Sequence, residues 1–206
     1  MKYLLTITGP SLTGKTTAAQ LLQDYGFAEL VSTTTRPPRA GEVNGVHYHF
    51  VDVPYFKKMA ESKQLIESIE KDGKYYGASK QALLNVWDSG KNCVVVVEPS
   101  GAKQIRKYCQ ENNIPVFSVF LNNPTKILLE RFLLRYKNDK LAKEETYADR
   151  ILSMLYEEPE KWIRPALEGN DYYDAVMPAF SKENEKEVIS QIVKLANKKI
   201  NNKPSP

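Results

Sequence analysis

Only two cysteines occur in the 206 residues, Cys93 inside an apolar run and Cys109 in a helical stretch, and they have neither the number nor the spacing of a disulfide framework or a thiolate metal site. Their scarcity fits reduced, partly buried thiols in a cytoplasmic protein. Long apolar runs are missing as well. The opening Met1-Lys2-Tyr3-Leu4-Leu5 ends at Gly9-Pro10, and no later stretch approaches the roughly twenty apolar residues that span a bilayer, so no membrane partner is expected. A dominant charge is absent too: 29 Lys+Arg against 25 Asp+Glu leave a formal charge of +4, which suits a small anionic substrate and falls far short of a dedicated nucleic-acid binder. No internal repeat and no low-complexity segment interrupts the chain.

What is present is enough apolar material, 42% of residues, for one full core, so residues 1–206 are read as a single domain with lobes. Tyr3 to Thr8 reads as a buried strand, followed by a Gly/Ser/Thr turn and a helix from Lys15 to about Tyr25. Val31 to Phe50, dense in Thr, Pro, Gly and Arg, reads as loops and short strands, where a second lobe begins. Val53 to Ser62 is expected helical, Gln64 to Glu70 extended, Gly73 to Gly77 a turn, and Ser79 to Ser89 a helix capped by Ser79. Cys93 to Val97 and Val116 to Leu121 are continuous apolar runs of the kind found in central parallel strands covered on both faces. Helices expected at Gly101 to Asn112, Pro124 to Arg135, Glu144 to Leu167 and Lys182 to Ile200, with a last strand at Ala175 to Met177, complete an alternating α/β order.

The segment Gly9-Pro10-Ser11-Leu12-Thr13-Gly14-Lys15-Thr16 matches G-x-x-x-x-G-K-[ST] between the first strand and the first helix. Glycines there let backbone N–H groups wrap a phosphate at a helix N-terminus, Lys15 neutralises it, and Thr16 is positioned to hold Mg²⁺. A glycine-rich turn is the plain alternative, and the strand-loop-helix context argues against it. Gly9 to Thr16 together with Thr17 are therefore the candidate triphosphate site. Such a loop serves switches, motors and kinases alike, so the class must come from the rest of the chain.

Ser32-Thr33-Thr34-Thr35-Arg36-Pro37-Pro38-Arg39-Ala40-Gly41-Glu42-Val43-Asn44-Gly45-Val46-His47-Tyr48-His49-Phe50 resembles the signature of guanylate kinases, S-x-T-T-R-x-P-R-x-G-E-x-x-G-x-x-Y-x-F. The resemblance continues through Leu65-Ile66-Glu67, Gly73-Lys74-Tyr75-Tyr76-Gly77 and Ser100-Gly101-Ala102, and weakens after about residue 140. It implies a P-loop NTPase fold: a three-layer parallel sheet core (1–31, 83–134 and 148–200), an inserted nucleoside-monophosphate lobe at about 32–82, and a helical lid at about 135–147. It also implies transfer of the ATP γ-phosphate to GMP or dGMP with Mg²⁺ as the metal, in a monomer or homodimer.

Residue by residue, two arginines three apart with nearby tyrosine hydroxyls suit a dianion clamp, and the resemblance gives Arg36, Arg39, Tyr48 and Tyr76 the acceptor phosphate. Either arginine alone would read as a solvated surface charge. The resemblance gives Glu67 the N1–H and N2–H donors of guanine, and Ser32 its O6. Arg131, Arg135 and Arg150 fall where the family closes arginines over the triphosphate, Arg135 and Arg150 in a catalytic role and Arg131 on ATP, although each could be a solvated helical face.

Three places depart from the family. Val96 and Glu98 stand where two aspartates are usual, which removes an acidic group near the metal and leaves Glu98 able to accept from the base. Ala78 stands where a hydroxyl faces the base, and Pro178 where an adenine-side Asn is usual. Two alternatives follow: a relaxed-specificity purine monophosphate kinase, or a non-catalytic guanylate-kinase-like binding module.

Overall fold

The computed structural model describes residues 2–138, 151–157, 159–168, 172–178 and 180–202. Its main sheet has five strands, all parallel, in the order β2-β7-β1-β8-β9. These are β1 (Leu4–Thr8), β2 (Phe27–Glu29), β7 (Asn92–Val96), β8 (Val116–Asn122) and β9 (Ala175–Pro178). β1 is buried along its whole length, and β7 and β8 are nearly so, as continuous apolar strands between two helical layers must be.

One layer covers the sheet with α1 (Lys15–Leu21) and the C-terminal helix (Glu185–Asn201), whose Ala18, Ala19, Ile189, Ile192 and Ala196 pack on Leu5, Ile7, Val119 and Leu121. On the opposite face Leu83, Val86, Ile105 and Cys109 from α3 (Lys80–Asp88) and α4 (Pro99–Glu111) pack on Leu4, Cys93, Val95 and Val116. Both cysteines are reduced and buried in this second layer.

A second sheet of four strands, ordered β4-β3-β6-β5, is inserted between β2 and α3. It comprises β3 (Thr33–Thr34), β4 (His49–Phe50), β5 (Leu65–Lys71) and β6 (Lys74–Ser79), with α2 (Val53–Glu61) against it through Phe56. α2 starts at Asp52, whose carboxylate accepts from the Tyr55 N–H at 2.7 Å, and α3 starts at Ser79, whose hydroxyl oxygen accepts from the Ala82 N–H at 3.1 Å.

Four sequence expectations change. Gly73 to Gly77 is not a free-standing turn: only Asp72 and Gly73 turn, both with positive φ, and Tyr75 and Tyr76 belong to β6, paired antiparallel with β5. Cross-strand pairing satisfies backbone groups that a longer turn would leave open. The helix from Lys15 ends at Leu21 and tightens to a 3₁₀ turn over Leu22–Tyr25 before Gly26 at φ 81°. β2 was not expected at all, being three residues long. The long helix expected over Glu144 to Leu167 is described only from 151 onward, where π-helical Ser153–Glu157 and Pro159–Ile163 lead into α6 (Arg164–Leu167). Of the lid expected at about 135–147, residues 135–138 end α5 (Thr125–Asn138), and 139–147 lie outside the described residues.

The C-terminal helix, α7 (Glu185–Asn201), is tied to the sheet through Asp174 at the head of β9. That carboxylate accepts from the Arg106 guanidinium at 2.6 Å, from the Ser118 backbone N–H at 2.7 Å and from the Lys199 ammonium. One acid thereby joins α4, β8 and α7. Asp174→Ala leaves the shielded Ser118 N–H without its acceptor and the Arg106 guanidinium with the Tyr172 carbonyl alone, and should lower unfolding free energy by about 3 kcal/mol, read from the midpoint of a denaturant titration at unchanged m-value.

Candidate functional site

The loop between β1 and α1 emerges from the carboxyl edge of the central strand, where a parallel sheet opens its crevice. Its glycines are forced by close approaches: a Cβ at Gly9 would stand 2.5 Å from the Leu121 carbonyl oxygen, and one at Gly14 would stand 2.7 Å from the Phe180 ring, with φ 91° besides. Thr13 Oγ1 donates to the Pro10 carbonyl at 2.9 Å, and Lys15 Nζ folds back to donate to the carbonyls of Gly9 at 2.9 Å and Pro10 at 2.7 Å. Leu12 adopts φ 66°, a conformation held from outside by Arg131, which donates to the Leu12 carbonyl at 2.8 Å and to the Phe180 carbonyl at 2.6 Å. Asn123 completes the brace by exchanging two hydrogen bonds with the Phe180 backbone.

Two clefts flank this loop. One, about 430 Å³, is lined by Gly14, Lys15, Thr16, Thr17, Arg131, Phe180, Ser181 and Lys182. The other, about 580 Å³, is lined by Thr16, Gln20, Glu29, Ser32, Glu42, Tyr48 and Val96 among others. Thr16 lines both, so the clefts meet at the head of α1.

Arg36 is 8% exposed, donating to the Pro37 carbonyl at 2.7 Å and to Glu42 Oε1 at 2.8 Å. Its guanidinium lies 5.5 Å from the Tyr48 ring centroid and 5.8 Å from that of Phe50. Tyr48 in turn meets Tyr76 edge-on at 6.3 Å. Glu42 Oε2 accepts the Arg39 backbone N–H at 2.7 Å, so a single carboxylate spans both arginines of the signature. The Arg36 hydrogen bond, then the Arg39 N–H, hold the Glu42 pKa down at about 2. The side chain of Arg39 is exposed. Pro37 and Pro38, between the two arginines, fix φ there and limit how far that stretch can stray.

Glu67 sits on β5 at 5% exposure, facing Ala78 across the pair of strands. Burial raises its pKa to about 7, a backbone hydrogen bond from Ala78 opposes that rise, and the charge of Glu98 adds to it. Gly101 in the first turn of α4 admits the carboxylate: a Cβ there would meet Glu67 Oε2 at 3.0 Å. The N-terminal end of α4 is a favourable place for a carboxylate. Glu98 precedes that helix and bonds Lys71 Nζ at 2.5 Å, bridging the inserted sheet to the core. Ala78 is fully buried and packs with Ile66, Ala82 and Leu83, so its methyl belongs to the core beneath Glu67.

Residues 1–177 match the protein-family model described as Guanylate kinase. The chain belongs to the guanylate kinase family. It is 34% identical over 158 residues to the guanylate kinase of Chlamydia felis (strain Fe/C-56), covering 75% of this chain and 74% of that one. It is 40% identical over 152 residues to the guanylate kinase of Nostoc sp. (strain PCC 7120 / SAG 25.82 / UTEX 2576), covering 72% of each. The crystal structure of guanylate kinase from Anaplasma phagocytophilum superposes with a TM-score of 0.62 at 24% identity, over 96% of this chain and 86% of that one, a likeness of fold.

In this guanylate kinase family member Leu12, Gly14, Lys15, Thr16 and Thr17 of the expected loop residues line one cleft, and Ser32, Tyr48 and Glu42 line the other. Arg131 is beside the loop, with its guanidinium engaged by two backbone carbonyls. Arg135 lies in the last turn of α5, its side chain outside the described residues, and Arg150 lies outside them altogether. Sequence reasoning passed over Glu42, Glu29, Gln20, Asn123 and Phe180. Glu42 lay inside the signature stretch, where its contact to two arginines was a readable hint. Phe180 and Asn123 are far apart in sequence and meet only through the β8 and β9 pairing.

The raised pKa of Glu67 carries a stability consequence. Between the ordinary carboxylate value and about 7 the folded chain holds a proton that the unfolded chain has released, so stability should fall as pH rises from about 4.5 to 7. The span is on the order of 3 kcal/mol at most. Glu67→Gln should flatten that part of the curve in chemical denaturation measured at pH 5, 6 and 7.5.

Proposed function

We propose that this protein transfers the γ-phosphate of ATP to GMP or dGMP in the cytoplasm. The observation that carries the reading is the meeting at Thr16 of the loop cleft with a second cleft lined by Ser32, Glu42 and Tyr48, the last two in contact with Arg36. Direct transfer needs donor and acceptor phosphates held end to end out of bulk water, and two clefts sharing one wall residue suit that requirement.

The backbone N–H groups of the loop and Lys15 hold the donor phosphates. Lys15 leaves the Gly9 and Pro10 carbonyls to do so, exchanging neutral acceptors for a charged one. On the acceptor side the dianion competes with Glu42 for Arg36, joined by Arg39 and the Tyr48 and Tyr76 hydroxyls. Glu67, ionised, accepts from N1–H and N2–H of guanine, a pair of donors that adenine lacks, and Ser32 donates toward O6. Glu98 stands near enough to raise the Glu67 pKa and accepts from the base amino group. Arg131 supports ATP by fixing Leu12 in the loop; Arg135 and Arg150 are assigned to the triphosphate and a lid to about 135–147, with Arg150 and residues 139–147 outside the described residues. The monophosphate lobe spans about 32–82.

Mg²⁺ fits this setting as an ion brought in with ATP. The Thr16 hydroxyl is a hard oxygen ligand, and among the described residues no group of three or more His, Cys, Asp or Glu is built to hold a metal alone. When bound, the ion neutralises phosphate charge. The scaffold alternative is disfavoured by the retained Lys15 and Thr16. The relaxed-specificity reading rests on Ala78 standing where the family has a hydroxyl, and its methyl is packed in the core beneath Glu67.

Turnover with GMP, dGMP, AMP, dAMP, CMP and UMP in a coupled assay tests the reading: guanine nucleotides should be preferred by a hundredfold or more, and comparable rates with AMP would overturn it. Lys15→Ala should abolish turnover while leaving GMP binding, measured by calorimetry, nearly intact. Arg39→Ala should raise KM for GMP by at least ~tenfold with KM for ATP little changed, since a charge-assisted contact to phosphate is worth roughly 1.5 to 3 kcal/mol.

A further inference from the structure

Glu29 lies on β2, paired in parallel with β7 in the register Glu29 to Val94. Side chains alternate along a strand. Phe27 packs with Ala18, Ala19 and Leu22 under α1, whereas Ala28 and Leu30 turn to the opposite layer. Glu29 therefore shares the α1 face with Phe27 and lies further toward the carboxyl edge of the sheet. Val94 and Val96 occupy that same face of β7, and the cleft wall brings Glu29 together with Thr16, Gln20 and Val96.

The other acids near the cleft are already engaged: Glu42 by Arg36, Glu98 by Lys71, and Glu67 by the Ala78 backbone. Among the described residues, no hydrogen bond or ion pair engages the Glu29 side chain. A partly buried carboxylate without a protein cation is costly unless a cation arrives from elsewhere. Mg²⁺ keeps several of its waters when it binds with nucleotide, and those waters need acceptors held on the protein. Val96, the neighbouring side chain on the cleft wall, cannot supply one.

We propose that Glu29 is a positioning residue for the Mg²⁺ that enters with ATP, accepting hydrogen bonds from the water shell of the ion and holding that shell against Thr16. The proposal rests on the kinase reading above.

Its test is the dissociation constant of a non-hydrolysable ATP analogue, measured by calorimetry with Mg²⁺ and with EDTA, in the parent and in Glu29→Gln. In the parent Mg²⁺ should tighten binding. In Glu29→Gln that tightening should shrink by ~tenfold while the EDTA value stays put, and the Mg²⁺ concentration for half-maximal turnover should rise by a similar factor. Glu29→Gln/Val96→Asp, with a carboxylate restored on the adjacent strand, should regain much of the metal dependence. An unchanged Mg²⁺ effect in Glu29→Gln overturns the assignment, as does an equal loss with and without metal, which would mark a purely structural role. A parent protein that phosphorylates no monophosphate and binds the analogue no better with Mg²⁺ overturns the kinase reading, and the assignment with it. A parent active on GMP beside an unaltered Glu29→Gln overturns the assignment alone.

Discussion

Everything in the site hangs on β1 being paired in parallel on both sides, with β7 at one edge and β8 at the other. A strand so enclosed meets solvent only at its ends, and the loop between β1 and α1 leaves its carboxyl end. The loop is then pressed from outside by the Leu121 carbonyl against Gly9 and by the Phe180 ring against Gly14, contacts that no residue with a Cβ could accept without displacement. β8 supplies Leu121, and Phe180 follows β9, its neighbour in the sheet, so the sheet shapes the loop as well as holding it. Arg131 and Asn123 lock the arrangement by satisfying backbone carbonyls, which is why a positive φ at Leu12 persists.

The inserted sheet solves a different problem, that of holding strong charges ready in a small volume before any substrate arrives. Arg36 is nearly buried, which is costly for a guanidinium, and Glu42 with two aromatic faces offsets that cost. Under the proposed function the Glu42 carboxylate and the acceptor phosphate compete for the Arg36 guanidinium. Glu67 is treated in the opposite way: it is buried with a backbone donor and, among the described residues, without a cation, and its pKa rises to about 7. A base offering two N–H donors would relieve that desolvation, and a base offering an acceptor would worsen it, so burial itself sharpens the choice.

Much of this was legible in the residues because the physics was local. The strand-loop-helix opening with its glycines, the apolar runs of β7 and β8, and the Ser79 cap each declare themselves within a few positions. What stayed hidden depended on contacts between distant segments. β2 has only three residues and exists because β7 offers it an edge, so no periodicity could announce it. Tyr75 and Tyr76 looked like turn residues beside Gly73, and only the partner strand β5 makes them a strand. The second role of Ala78, as core beneath Glu67, could not be told from a lost hydroxyl until the packing of β6 on α3 was seen.

The central claim is that phosphate passes directly from a nucleotide in the loop cleft to one in the cleft lined by Ser32, Glu42 and Tyr48. Its most direct test is the fate of label from γ-³²P-ATP incubated with GMP and Mg²⁺. The account predicts label in GDP, in one-to-one proportion to the ADP formed, with almost no free phosphate. Label released as inorganic phosphate, or ADP formed at the same rate without GMP, would contradict it.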